Sequence, residues 1–343
     1  MKSTSKATIS DVAELAGVSI KTVSRVVNRE PNVRPATQVK VEDAIRRLHY
    51  RPNLSARNLA STRARVVVLV YDDPAEYEAP SSGFIIKMQQ GALAACKQSG
   101  YDLLIHPCHY RNPNAEQELR DVIDRTRPSG VILAAPLSNM PKLVDAIRDT
   151  GVPFVPLAQG LEDSSEFTVA TNDRAFSAEM TRYLASLGHT RIGFVRGNPV
   201  HVAVSKRFLG YQDGLADCGL PFDKALVVQG DNSIGSGERC GGELLQLAEP
   251  PTAIFAANDD MAAGILREAA RRGVPVPEQL SVAGCDDISL AQQIYPSLTT
   301  VRQPLFEMAE AAAHVLTRGK EQSGILTVPA ELKIRESTGP APN

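Results

Sequence analysis

The chain has 343 residues, a formal net charge of −2 and five cysteines. It is long enough for more than one domain, it has no apolar run that could cross a membrane, and its amino terminus lacks the apolar core of a signal peptide. We therefore expect a cytoplasmic protein with no membrane contact. The cysteines show neither Cys-x-x-Cys spacing nor a paired histidine cluster, so they predict reduced thiols and no metal site or disulfide; they are Cys96, Cys108, Cys218, Cys240 and Cys285.

Residues 8–28 carry the clearest local pattern. They predict two short amphipathic helices joined by a turn at Gly17, with Ser19 as the N-cap of the second helix. Such a pair is a helix-turn-helix, and its second helix fits the major groove of DNA. Spacings of three and four residues place the expected core side chains on one face of each helix: Val12, Leu15 and Ala16 in the first, and Val23, Val26 and Val27 in the second.

The next residues predict a third helix and then a weaker helical segment. Pro35 suits the first turn of a helix that runs through Thr37, Val41, Ile45 and Leu48. After a break at residues 49–53, residues 54–60 form a helical stretch that is too short to be stable alone. This segment therefore needs a partner to order it.

Charge is distributed unevenly along the chain. Residues 1–63 carry twelve basic and five acidic side chains, a net charge of +7, whereas the whole chain carries −2. A basic head on an acidic body indicates one module that meets phosphates and another that does not.

At this point the residues resemble a known family. The stretch from Thr8 to Asn28, the Val-Arg-Pro-Ala-Thr run at 33–37, the Tyr-Arg-Pro-Asn run at 50–53 and residues 56–60 are similar to the DNA-binding head of the lactose-repressor/galactose-repressor (LacI/GalR) family of bacterial transcription regulators.

The resemblance implies a homodimer whose two heads occupy successive major grooves of a palindromic double-stranded operator. Residues 53–62 would form a hinge helix that orders on DNA and inserts Leu59 into the minor groove. Ile20, Lys21 and Arg25, on the exposed side of the second helix, would read bases. The full set of expected DNA contacts is Thr8, Ser19, Ile20, Lys21, Thr22, Ser24, Arg25, Asn28, Arg34, Ala56 and Leu59.

The body alternates apolar runs with helical patterns. This alternation predicts an α/β domain of two doubly wound lobes with parallel sheets and a ligand site between the lobes. Expected buried strands are Val66–Tyr71, Leu103–Ile105, Val131–Ala135, Phe154–Leu157, Ile192–Val195, Leu226–Val228, Ala253–Ala256 and Leu280–Ala283. Expected helices are Met88–Gln98, Ala115–Arg125, Ala178–Leu187, Phe208–Cys218 and Met261–Arg272.

The family builds this body on the architecture of periplasmic sugar-binding proteins. We accordingly predict a helix-turn-helix head at residues 1–52, a hinge helix at 53–62 and a two-lobed effector-binding and dimerisation domain at 63–343. Lobe 1 is expected to contain about 65–170 with 303–318, and lobe 2 about 171–302 with 319–336. The tail at 337–343 has no heptad of leucines, so assembly should stop at the dimer.

Polar residues at expected strand ends are the candidate effector site. Arg207, Asn258, Asp286 and Gln303 match effector-binding or hinge-adjacent positions of the family pattern. Aspartate and asparagine can chelate vicinal hydroxyls, and the arginine fork donates parallel hydrogen bonds, so this set suits a polyhydroxylated ligand. We expect Arg207 to face solvent in the empty cleft, so that its replacement by alanine would abolish the effector response and spare the fold. Asp259 and Asp287 are interpreted instead as caps of the following helices.

Further candidates follow the other strands. After the first strand, Tyr71 could stack on a sugar ring and Asp72 could accept from a hydroxyl. Asn232 matches a position that faces the cleft in the family. Ala158 stands where members of the family can have an aspartate, which argues against a galactoside effector.

The alternatives to a regulator are weaker. The carboxylate pairs 259/260 and 286/287 could suggest a glycosidase, but adjacent residues on one loop rarely flank a single bond. Neither a dinucleotide fingerprint, a Walker lysine nor a nucleophile elbow is present, so we expect no enzyme activity and no cofactor. The sequence therefore predicts a sugar-responsive repressor of carbohydrate-utilisation genes; the alternative is a soluble sugar-binding or carbohydrate-processing protein with an accessory helical head.

Overall fold

The computed structural model describes residues 7–27, 33–48, 50, 64–73, 83–157, 166–319 and 323–342. Residue contacts divide the chain into two units, 1–64 and 65–343. Among the described residues, no helix has both the length and the apolar character needed to cross a membrane.

The head contains the three predicted helices: α1 (Ile9–Ala16), α2 (Ile20–Val27) and α3 (Pro35–Arg47). Gly17 ends α1 with a left-handed φ of 63°, as a glycine C-cap permits. The Ser19 hydroxyl accepts a hydrogen bond from the Thr22 amide at 3.2 Å, which confirms Ser19 as the cap of α2.

The head has a small apolar core. Val12, Val23 and Val41, one from each helix, are fully buried. The expectation that Leu15 joins them is wrong, because its side chain is 48% exposed and Ala13 takes the inward position. Residues 13 and 15 lie on opposite sides of the helix, and contact with the other two helices decides which side is buried.

The first four strands of the body form a parallel sheet in the order β2-β1-β3-β4. Apolar clusters cover both faces of this sheet, as expected for parallel strands between helices. Its elements are β1 (Val66–Tyr71), α4 (Gly83–Ser99), β2 (Asp102–Pro107), α5 (Ala115–Thr126), β3 (Gly130–Leu133), a 3₁₀ turn at Leu137–Asn139, α6 (Pro141–Arg148) and β4 (Phe154–Pro156).

The second lobe repeats this design, with a parallel sheet in the order β7-β6-β8-β9. In both sheets the strand order reverses beside the first strand, and ligands of such folds lie outside the carboxyl ends at that point. The elements are α7 (Asp173–Ser186), β6 (Ile192–Arg196), α8 (Val202–Asp217), a 3₁₀ turn at Lys224–Leu226, β7 (Val227–Gln229), α9 (Ile234–Leu245), β8 (Ala253–Ala256), α10 (Asp259–Arg272), β9 (Ser281–Ala283) and α11 (Ser289–Gln293).

The chain passes between the lobes more than once. Strand β5 (Thr168–Thr171) pairs with β11 (Ile325–Val328), and a bridge from Leu157 to Val169 joins β5 to the first lobe. Helix α12 (Leu305–Arg318) also packs there, against α4. Strand β10 (Thr300–Arg302) pairs with β12 (Glu331–Lys333) in the second lobe. The prediction that residues 319–336 all belong to lobe 2 is therefore wrong for β11.

The eight predicted body strands are all present within a few residues of their expected bounds. Two of them, β2 and β7, are edge strands with partly exposed side chains, so the expectation that every strand is buried is wrong for these two. Several helices begin earlier than predicted; α7 starts at Asp173 and α8 at Val202.

Candidate functional site

The outward side of α2 carries the expected base-reading residues. Val23 and Val26 turn into the head core, and Ile20, Lys21 and Arg25 lie on the exposed side. Ile20 is 51% exposed, which leaves it able to contact a thymine methyl group. Ser19 and Arg34 are also exposed, and Thr22 and Ser24 are half-buried.

Thr8 has a structural partner in the head itself. Its hydroxyl donates to the Asp11 carboxylate at 2.8 Å, and the Thr8 amide donates to the same oxygen at 2.7 Å. The two hydrogen bonds, the amide's first, lower the pKa of Asp11. The hydroxyl also accepts from the Asp11 backbone amide at 3.3 Å, which completes a capping box on α1. The remaining expected DNA contacts, Asn28, Ala56 and Leu59, lie outside the described residues, as does the whole predicted hinge segment.

Arg207, on α8, is the centre of a buried polar cluster in lobe 2. Its Nε donates to Asp173 Oδ1 at 2.8 Å and its Nη1 donates to the Ala257 carbonyl at 2.6 Å. Nη1 also lies 3.7 Å from Asp286 Oδ1. The expectation that Arg207 faces solvent is wrong, since the residue is 5% exposed and packs over the ring of Phe176. Its Nη2 takes part in none of these polar contacts.

Asp286 joins Arg207 to the crossover between the lobes. Its carboxylate accepts from the Gln303 side-chain amide, and its backbone amide donates to Val301 O at 2.8 Å. Burial raises the pKa of Asp286 to about 7, although the positive charge of Arg207 and the bond from Gln303 oppose the rise. A backbone φ of 128°, rare for a residue with a side chain, holds this carboxyl at the end of β9.

The interpretation of Asp259 and Asp287 as helix caps is wrong in detail. Asn258 caps α10, because its side-chain oxygen accepts from the Met261 amide at 3.0 Å. Asp259 instead accepts from the Ile288 amide at 3.0 Å and from the Thr300 hydroxyl at 2.5 Å. Asp287 pairs with Arg335 at 2.5 Å. Both carboxylates therefore tie loops of lobe 2 together.

Asn232 and Asn258 are already bonded to one another. The Asn258 side-chain amide donates to the Asn232 carbonyl at 3.0 Å, and Asn232 has a positive φ of 76°. These asparagines form a fixed polar edge beside Arg207 at the carboxyl ends of β7 and β8.

The first lobe contributes Asp72 and the loop after β2. Asp72 Oδ1 accepts from His109 Nδ1 at 3.1 Å and from the Tyr110 amide at 2.9 Å. The neighbouring Tyr71 is 5% exposed and packs in the lobe 1 core. The expectation that its ring stacks on a ligand is therefore wrong, because an inward strand position buries it.

Four residues of this region were not predicted: Asp173, Tyr110, Asn198 and His201. Tyr110 and Asn198 do follow strands, so the rule that singled out Asp72 could have found them. Burial lowers the pKa of His201 to about 4, with Asp72 opposing this shift and Arg207 reinforcing it. His201 therefore lies under the influence of charges from both lobes.

A separate groove of about 620 Å³ lies on lobe 2 between α9 and α10. Its arginines are paired with glutamates; Arg239 contacts Glu243 at 2.8 Å and Arg267 contacts Glu238 at 2.9 Å. The charged side chains that line the groove are paired with one another, and the groove contains no residue of the Arg207 cluster.

Comparisons with known proteins agree with this geometry. Residues 8–53 match the family of bacterial regulatory proteins, lacI family, and residues 181–338 match the periplasmic binding protein-like domain. The chain is 34% identical to catabolite control protein A of Priestia megaterium, over 96% of this chain and 99% of that protein.

Solved structures give the same result. The transcriptional regulator CelR in complex with cellobiose is 30% identical with a TM-score of 0.73, covering 96% of this chain and 99% of that one. The lac repressor dimer bound to operator and the anti-inducer ONPF is 26% identical with a TM-score of 0.80, covering 98% and 100%. The chain therefore belongs to the LacI/GalR family and is a DNA-binding transcription regulator, not an enzyme.

Proposed function

We propose that this regulator is a homodimeric repressor of carbohydrate-utilisation genes, released from its operator by a sugar or sugar derivative. One observation carries the proposal: Asp286, which follows β9, contacts both Arg207 of α8 and Gln303, which follows β10. The cellobiose complex of CelR supports a sugar as the ligand class.

The chemistry of the cluster supports a polyhydroxylated effector. Asp173 and the Ala257 carbonyl hold Arg207 in place, so its Nη2 is pre-oriented as a donor. Asp286 supplies an acceptor for a ligand hydroxyl, and Asp72 supplies one from the other lobe. A ligand that touches both lobes favours the closed form through its differential affinity.

The exposed side of α2 supports base reading in the major groove. Arg25 and Lys21 suit guanine and Ile20 suits a thymine methyl group. Two heads would then read a palindrome, with the hinge segment and Leu59 acting in the minor groove between half-sites. Operator binding also implies a cytoplasmic protein associated with the nucleoid.

Lobe 1 offers a surface that supports dimerisation. Ile86 and Leu93, seven residues apart and therefore on one face of α4, are 43% and 54% exposed. Ile105 on the edge strand β2 is also exposed. The tail at 337–341 packs within lobe 2, where Ser337 is fully buried, so it is occupied inside the protomer. Light scattering at micromolar concentration should give a dimer; a stable tetramer would contradict this assignment.

The proposal is tested in two stages with the full chain. Selection from random double-stranded DNA should yield a palindromic site whose affinity falls as salt rises, since phosphate contacts release counterions. A chain that retains no DNA would instead be the sugar-binding alternative. A panel of neutral sugars and their derivatives is then screened for release of that site.

The matched pair Asp72→Asn and Asp73→Asn locates the ligand. Asp72→Asn keeps the shape of the side chain but removes its charge, so the sugar concentration for half-release should rise roughly tenfold, in line with a lost charged hydrogen bond. Asp73→Asn should leave it unchanged. Equal behaviour of the two variants would place the effector elsewhere.

A further inference from the structure

Tyr110 and Asn198 make a direct contact across the two lobes. The Asn198 side-chain amide donates to the Tyr110 hydroxyl at 3.4 Å. Tyr110 follows β2 of lobe 1 and Asn198 follows β6 of lobe 2, and both residues are half-buried. The bond therefore spans the cleft at the carboxyl ends of both sheets.

The lobe 2 half of this contact is held rigidly. Asn198 Oδ1 accepts from the Val200 amide, and the Asn198 backbone amide donates to Asn232 Oδ1, both at 3.1 Å. Because the side-chain oxygen is engaged, the amide nitrogen is the group that faces Tyr110. A Cβ at Gly197 would lie 2.1 Å from Asn232 Oδ1, so this close approach requires glycine.

The lobe 1 half is held equally well. The Tyr110 amide donates to Asp72 Oδ1 at 2.9 Å, and the ring lies edge-on to His109 with centroids 4.9 Å apart. The Arg111 guanidinium lies 5.3 Å from the Tyr110 ring centroid. Groups of its own lobe thus fix the hydroxyl that meets Asn198.

The contact also completes a continuous path. Asp72 is bonded to Tyr110, Tyr110 to Asn198, Asn198 to Asn232 and Asn232 to Asn258. Both ends of this path are residues of the proposed effector site. The bond between the lobes is the longest of the four and exceeds the 2.7–3.2 Å usual for N–H···O, so it is the one that breaks first when the lobes move.

We propose that Tyr110 and Asn198 form an interlobe latch that positions the two halves of the effector site at their resting separation. The latch rests on the proposed function only in naming the cleft as the effector site. Each partner is fixed within its own lobe, so removal of the bond between them should favour a wider separation of the lobes without disturbing either partner.

The latch is tested by the distance between the lobes in the unliganded full chain. Cys218 is exposed in lobe 2 and the other four cysteines are buried, so Cys218 can carry one spin label. An exposed position on α5, Asp124→Cys, carries the second. Double electron–electron resonance, with the labelled protein diluted in unlabelled protein, then reports distances within one protomer.

Tyr110→Phe removes only the hydroxyl. It should lower the ratio of latched to separated protomers about fivefold, the factor that one typical hydrogen bond supplies. Asn198→Ala should do the same, and the double variant should separate no further. Asn198→Asp should retain the latch, because its carboxylate can accept from the Tyr110 hydroxyl and from the Val200 amide. Tyr101→Phe, in the same lobe but outside this contact, is the matched control.

Three outcomes would overturn the latch: Tyr110→Phe indistinguishable from the parent chain, an additive effect in the double variant, or an equal shift with Tyr101→Phe. The measurement uses neither DNA nor sugar. Its failure therefore leaves the proposed function standing, whereas a latched protein that no sugar releases from its operator would overturn only the effector class.

Discussion

The second helix of the head and the Arg207 cluster of lobe 2 are the two proposed binding surfaces, and they are built in opposite ways. Ile20, Lys21 and Arg25 are exposed, while Arg207 and Asp286 are each less than a tenth exposed. The groups proposed to face DNA lie outside the apolar core of the head. The groups proposed to face the effector belong to the hydrogen-bond network of lobe 2, so ligand recognition and fold stability would share the same side chains.

The largest effect that this comparison predicts is at Arg207. Arg207→Ala leaves the Asp173 and Asp286 carboxylates buried without their cation, which should lower the free energy of unfolding by about 3–5 kcal/mol. Urea denaturation measures it. Arg174→Ala is the control, because it removes an exposed ion pair to Asp213 and should cost no more than about 1 kcal/mol. Equal stability of the two variants would return Arg207 to the solvent-facing role expected from sequence.

The next effect is a pH dependence at Asp286. Its pKa is about 7 in the folded chain and about 3.8 when unfolded, so the folded state binds the extra proton and loses stability as pH rises from 4 to 7. Asp286→Asn cannot ionise. Its free energy of unfolding, relative to that of the parent chain, should therefore rise by on the order of 2–4 kcal/mol over that pH range. Urea denaturation at pH 5 and pH 8 tests this prediction. A constant difference between the two proteins would show that this carboxyl does not titrate there.

On the head, Arg25→Ala should act on DNA and leave the fold alone. We expect a loss of about 1–3 kcal/mol in operator affinity and a relaxed base preference at one position per half-site. Binding to a set of single-base operator variants checks this. Lys40→Ala, an exposed cation on α3, should weaken all sites alike. A uniform loss with Arg25→Ala would reduce Arg25 to a phosphate contact.

The smallest effect concerns Ser19. It is exposed, like the residues proposed to read bases, but it also stabilises the fold because it caps α2. Ser19→Ala should lower head stability by about 1 kcal/mol. Ser19→Asp keeps a capping side chain but adds a negative charge, so it should preserve thermal stability and weaken operator binding. If Ser19→Asp bound operator as tightly as the parent chain, Ser19 would be a cap alone.

Helices and strands with a local periodic pattern of apolar residues were predicted well from the sequence. Apolar runs gave the eight body strands, and the spacing around Gly17 gave the head, because both depend on local periodicity. Burial was predicted less well. Leu15 and Tyr71 fit an apolar pattern, but only the packed structure shows which of them turns inward.

The sequence identified residues of the candidate site better than it predicted their burial and their hydrogen bonds. Asp286 does follow a strand, whereas Arg207 was expected at a strand end and lies within α8. The burial of Arg207 depends on Asp173, which lies 34 residues earlier at the start of α7. Such long-range pairing has no local signal. Tyr110 and Asn198 follow strands, as Asp72 does, so the same rule could have included them, but only the structure shows that they contact each other across the cleft.

The packing of residues 337–341 has a consequence for biosynthesis. Val282 and Ser337 exchange hydrogen bonds, His189 contacts the Gly339 carbonyl at 3.0 Å, and the Ala341 amide donates to Leu187 O at 2.8 Å. Lobe 2 thus cannot close its polar interior until these residues leave the ribosome, and lobe 1 must likewise wait for α12 and β11. The head, made first, can fold long before. During synthesis the nascent chain therefore gains its DNA-binding module ahead of the part that would regulate it.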